Sequence, residues 1–90
     1  MTVRIRFTNL FAERIGGVSS VDVQAGTVES ALRALTDRHP NLTPLVWAKD
    51  GALNPVMVMF LNDRQLGAAE IGTPVSPGDE IDIVPALEGG

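Results

Sequence analysis

Along the first eight residues apolar and polar positions alternate, with Val3, Ile5 and Phe7 against Arg4, Arg6 and Thr8. A period of two is that of a strand with one face buried. The run Glu13-Arg14-Ile15-Gly16-Gly17 breaks it, and Gly17 suits a turn at positive φ. A second strand is predicted over 19–23, where Val21 and Val23 share a face, and the short connection predicts an antiparallel hairpin between the two. The period then changes. Val28, Ala31, Leu32 and Leu35 recur at helical spacing behind Thr27, a good N-cap, with Glu29 in the first turn. Arg38 and His39 fall in the last turn and Pro40 ends the pattern, so a helix is predicted over 27–39.

An irregular stretch over 41–55 leads to six consecutive apolar residues, 56–61, which suit a central strand. Asn62-Asp63 is a turn signal that folds the chain back through 64–66. Pro77-Gly78-Asp79 is another, and it launches a last strand over 80–84, where Ile81 and Ile83 alternate with Asp82. Pro85 is expected to stop the ladder by removing a backbone donor. The order β-β-α-β-β-β is solved most simply by laying the helix across one face of a mixed sheet, which makes the fold α+β and of β-grasp layout. Alternation in 56–61 turns either Met57, Met59 and Leu61 or Val56, Val58 and Phe60 toward the helix.

Ninety residues support one core. Hydrophobic residues make up 44% and charged residues 20%, which argues against disorder. Seven basic against eleven acidic residues give a net charge of −4, which argues against nucleic acid or an anionic membrane as partner. The chain has no cysteine, which removes disulfides, thiolate metal sites and a cysteine nucleophile together. His39 is the sole histidine and is read as a helix-end residue rather than a metal ligand. Asp79, Glu80 and Asp82 are read as an acidic turn and strand face rather than a cation site, and Lys49, the sole lysine, as a solvated loop charge. The apolar run 56–61 is far below the roughly 20 residues a membrane helix needs, and no targeting pattern stands at the N-terminus. A cytoplasmic location is the expectation.

The closing segment, Pro77-Gly78-Asp79-Glu80-Ile81-Asp82-Ile83-Val84-Pro85-Ala86-Leu87-Glu88-Gly89-Gly90, carries a Gly-Asp turn, an apolar strand, a proline and a diglycine in that order. With Leu10-Phe11-Ala12-Glu13 after the first strand and Leu61-Asn62-Asp63 after the third, it resembles the ThiS, MoaD and CysO group of sulfur carriers, relatives of ubiquitin. The CysO type is nearest in look and the MoaD type next, while the length and the 41–55 connection look less like the shorter thiamine-pathway carriers. The resemblance implies a β-grasp domain over 1–85 and a flexible tail over 86–90. It also implies that the methionine set packs inward, leaving Val58 and Phe60 on the open face, where two readings stay open: a docking patch for a partner, or a surface covered by the 41–55 connection.

The same resemblance implies the reaction. An E1-like activating enzyme of the MoeB/ThiF type uses ATP and a divalent metal to adenylate the carboxylate of Gly90. A sulfur donor or sulfurtransferase then displaces AMP to leave a thiocarboxylate, and a sulfur-accepting biosynthetic enzyme consumes it. The product could be cysteine, molybdopterin or another sulfur-containing metabolite. Ala86, Leu87, Glu88 and Gly89 would enter the partner's active site, reaching about 15–18 Å beyond the sheet. Glycines there let the terminus pass a narrow cleft. On this reading the chain is a protein cosubstrate and not an enzyme, with no bound cofactor or metal of its own. Two alternatives stay open: a ubiquitin-like modifier joined through Gly90, and a β-grasp binding module with an inert tail.

Overall fold

A computed structural model describes residues 2–85 of the chain, apart from the side chain of Asn9. The alternation in the first strand is realised as β1 (Thr2–Phe7), in which Val3, Ile5 and Phe7 are buried and Arg4 and Arg6 exposed. β2 (Ser20–Gln24) pairs with it antiparallel, Val3 opposite Val23 and Ile5 opposite Val21. The connection is not a simple hairpin turn. It holds a short helix, α1 (Asn9–Glu13), which buries Phe11 and Ala12 at the end of the core, and it closes through Gly16 and Gly17, both at positive φ.

The predicted helix is α2 (Val28–Arg38), with Thr27 as its N-cap and His39 as its C-cap. Its start is fixed reciprocally: Ser30 N–H donates to Thr27 Oγ1 at 3.1 Å, and Thr27 N–H donates to Ser30 Oγ at 3.0 Å. Val28, Ala31, Leu32 and Leu35 are fully buried against the sheet. Removing a valine or leucine side chain from water stabilises the fold by roughly 1.5–3 kcal/mol each.

The 41–55 connection, expected to be irregular, has structure of its own. A 3₁₀ turn at Pro40–Leu42 leads into α3 (Thr43–Val46), and Trp47 then bridges to Leu53. Leu42, Val46, Trp47 and Leu53 are buried. Trp47 Nε1–H donates to Thr36 Oγ1 at 3.2 Å, and that hydroxyl donates to Leu32 O at 3.2 Å, so both buried polar groups are satisfied. From outside, Arg33 lies 3.7 Å over the Trp47 ring and donates to Gly51 O at 3.0 Å. The whole connection is clasped to α2, on the helix side of the sheet.

β3 (Met57–Leu61) and β4 (Arg64–Leu66) form a two-residue hairpin through Asn62 and Asp63, both at positive φ as such turns require. Met57, Met59 and Leu61 face the core, whereas Val58 and Phe60 are half-buried on the other face. A 3₁₀ turn at Ala68–Glu70 precedes the Ser76-Pro77-Gly78-Asp79 turn, closed by Asp79 N–H donating to Ser76 O at 3.0 Å with Gly78 at positive φ. β5 (Glu80–Pro85) then inserts between β1, to which it runs parallel, and β3, to which it runs antiparallel. The sheet order is β2-β1-β5-β3-β4.

Pro85 differs from expectation by one residue. It does not halt the strand before itself but is its last described member, buried and paired opposite Met57. That position tolerates proline because its missing N–H would point toward β1, not toward β3.

Candidate functional site

The five residues 86–90, including Gly90, Gly89, Glu88, Leu87 and Ala86, lie outside the described residues. What the structure describes is the strand that precedes them in the chain. The strand that bears them is the central one of the sheet, and it ends at Pro85 beside the start of β3 and the end of β1.

On the open face next to that exit, Val58 pairs with Val84 and Phe60 with Asp82. Phe60, Asp82 and Val84, with Arg6, Phe7, Thr8 and Ile83, line a shallow depression of about 320 Å³; Val58 is not part of its lining. Val58, Phe60 and Val84 are each half-buried, so the face presents an apolar patch without a layer upon it among the described residues. Thr8 Oγ1 is buried at this edge and has no hydrogen-bond partner among the described residues. Both residues named for docking, Val58 and Phe60, therefore share one surface with the strand that leads to the tail.

Beside the patch the face becomes charged. Arg6 grips Asp82 with two bonds, Nε at 2.7 Å from Oδ1 and Nη2 at 3.0 Å from Oδ2, and its Nη1 lies 3.7 Å from Glu80. These partners hold the guanidinium in its charged form, its pKa raised first by the hydrogen bond to Asp82 and then by the charges of Asp82 and Glu80. Arg4 bonds Asp22 across the next ladder at 3.0 Å, and its pKa is likewise raised by that bond. The basic strand β1 is thus neutralised by acidic residues of β2 and β5.

The acidic run at 79–82 is accounted for by these contacts. Asp79 accepts from Ser76 N–H at 2.7 Å and from Asn62 Nδ2 at 2.9 Å, which pull its pKa below the ordinary aspartate value. Among the described residues no three acidic or histidine side chains gather where they could hold a metal ion. Lys49 is exposed in the turn after Trp47, and His39 is half-buried at the end of α2. No helix among the described residues is long and apolar enough to cross a membrane.

Five strands in this order, a long helix across one face and a C-terminal strand at the centre of the sheet define the β-grasp, ubiquitin-like class. Within that class the chain belongs to the ThiS family, whose model matches residues 5–90. A relative from Archaeoglobus fulgidus, described as a "putative sulfur carrier protein", is 32% identical over 75 residues, 82% of this chain and 85% of that one. Small archaeal modifier protein 1 from Haloferax volcanii superposes with a TM-score of 0.86 at 28% identity, covering 100% of both chains. CysO in its complex with BexX from Amycolatopsis orientalis superposes with a TM-score of 0.82, covering 98% of this chain and 99% of that one. At 24% identity this second likeness supports the fold alone.

Proposed function

We propose that the chain is a sulfur carrier whose working group is the carboxylate of Gly90. The observation that carries this reading is the ThiS-family match running through residue 90, on a fold whose central strand delivers that terminus. A carboxylate is a poor electrophile. Attack of its oxygen on ATP, in an E1-like activating enzyme that holds the nucleotide and a divalent metal, gives an acyl adenylate and releases pyrophosphate. A sulfide equivalent from a sulfur donor then expels AMP and leaves a thiocarboxylate. The acceptor enzyme takes the sulfur and water restores the carboxylate oxygen. The carrier contributes no catalytic group. Its body docks through Val58, Phe60 and Val84, and residues 86–90 enter the partner. CysO solved with BexX and the two subunits of molybdopterin-converting factor from Helicobacter pylori show that proteins of this fold assemble with partners.

Intact-mass spectrometry tests the proposal. After incubation with ATP, an activating enzyme and a sulfur source, the mass should shift by replacement of one oxygen with sulfur at Gly90. An unchanged mass under conditions that charge another ThiS-family carrier would sink it.

The likeness to small archaeal modifier protein 1 favours a second reading, in which the same activated carboxylate is passed to lysine amines of other proteins. Conjugates that persist through denaturing electrophoresis and disappear on removal of Gly89 and Gly90 would establish it.

A further inference from the structure

The connection between α2 and β3 carries a groove for which the carrier chemistry has no use. It is an open depression of about 690 Å³, more than twice the one beside Phe60, with Pro40, Pro44, Trp47, Ala48, Asn54 and Lys49 in its lining. Pro40 and Pro44 are exposed, whereas Trp47 is buried. The walls are fixed before anything binds. Asn54 Nδ2 donates to Pro44 O at 3.3 Å and Asn54 N–H to Val46 O at 2.8 Å, which ties the chain before β3 to α3. The Trp47 indole is held by Thr36 and stacked from outside by Arg33. A groove built this firmly loses little conformational freedom when it is filled.

Lys49 is the one charged residue among those that line it. It stands in a turn closed by Gly51 N–H donating to Ala48 O at 2.9 Å, with Gly51 at positive φ. Arg4, Arg6, Arg33 and Arg64 are each ion-paired, but Lys49 has no ion pair among the described residues. The adjacent carboxylate is turned to the backbone instead, Asp50 Oδ1 accepting from Ala52 N–H at 3.0 Å. On a chain of net charge −4, an apolar groove thus ends at an unneutralised cation.

We propose that this groove is a second docking surface, and that its occupant is an extended segment of a partner protein carrying aliphatic side chains next to a carboxylate. The aliphatic groups cover the proline rings and Ala48, and the carboxylate meets the Lys49 ammonium. A chain segment fits better than a small molecule, because an open groove leaves one side of its occupant in water, while small-ligand sites enclose about 70–90% of theirs. The groove lies on the helix side and the Phe60 patch on the open face, so both can be filled at once. The inference does not depend on the carrier reading.

Nitrogen–proton correlation NMR of the full chain, titrated with three blocked pentapeptides, tests this. The peptides are Leu-Glu-Leu-Glu-Leu, the same with lysine for glutamate, and the same with glycine for leucine. The first should shift the Trp47 indole N–H and the Ala48 and Lys49 amides, leave Val58 and Phe60 in place, and bind about fivefold to tenfold more tightly than the others. The net charge of −4 attracts the basic peptide in general, so a preference for the acidic one reports a local positive site. Lys49→Glu, at an exposed turn, should weaken the acidic peptide by about fivefold to tenfold and turn the preference to the basic one. Equal affinity for the acidic and basic peptides, or for the leucine and glycine peptides, overturns the proposal. Shifts centred on Phe60, or none at millimolar peptide, do the same. If the Trp47, Ala48 and Lys49 signals move when the chain alone is diluted, the groove belongs to a second copy and the proposed partner segment is ruled out.

Discussion

The two faces of the sheet are made from alternate residues of the same strands, yet they follow opposite rules. The covered face is wholly apolar: Ile5, Ile81 and Ile83 are sealed against Val28, Leu32 and Leu35 of α2. The open face mixes the half-buried trio Val58, Phe60 and Val84 with the pairs Arg6–Asp82 and Arg4–Asp22. Burial by α2 gives the first face its stability. The second keeps apolar area that no described residue covers, bounded by charges that already have partners and so would not force a buried unpaired ion on whatever docked there. The buried core and the exposed apolar patch are separated by one residue step along each strand.

That separation can be broken from either side. Leu32→Ala should destabilise the fold by about 2–5 kcal/mol in urea titration, since it empties a fully buried site, while the folded fraction is still adenylated normally. Phe60→Thr should do the reverse. It should change stability little, because threonine suits a half-buried strand position, and raise KM for activation about tenfold, the effect of losing an aromatic anchor. Threonine is preferable to aspartate there because Asp82 stands directly opposite. A normal KM in folded Phe60→Thr would remove the docking role. Arg33→Ala, on the helix side, should cost about 1 kcal/mol through loss of the Trp47 contact and one hydrogen bond, with KM unmoved.

The smallest effect concerns pH. Asp79 has a lowered pKa in the fold, so its contribution to stability is complete above the unfolded value and is lost as pH falls through the folded one. Thermal melts should show the wild type losing stability below about pH 4 more steeply than Asp79→Asn. Equal slopes would mean that the contacts with Ser76 and Asn62 do not persist in solution.

The elements legible in the sequence are those whose pattern repeats. Val3, Ile5 and Phe7 show a strand in three beats, and Val28 to Leu35 covers two helical turns between Thr27 and Pro40. α1 spans only five residues, and Leu10, Phe11 and Ala12 are apolar in a row, so no period distinguishes it from an extension of β1. In the 41–55 connection Pro44 reads as a breaker, although it sits at the first turn of α3 where proline is favoured. Val58 and Phe60 could be placed on the open face only through a likeness to a family, because alternation allows either set inward.

The parallel pairing of β1 with β5 has a mechanical consequence. Thr2 stands at the start of β1 and Pro85 at the opposite end of its parallel neighbour β5, so tension applied between these two residues acts along both strands in opposite directions. Such a load strains the β1–β5 bonds together in shear instead of opening them one after another. A machine that hauls on the last residues pulls against the sheet's centre, and should be able to draw the terminus taut without unravelling the body.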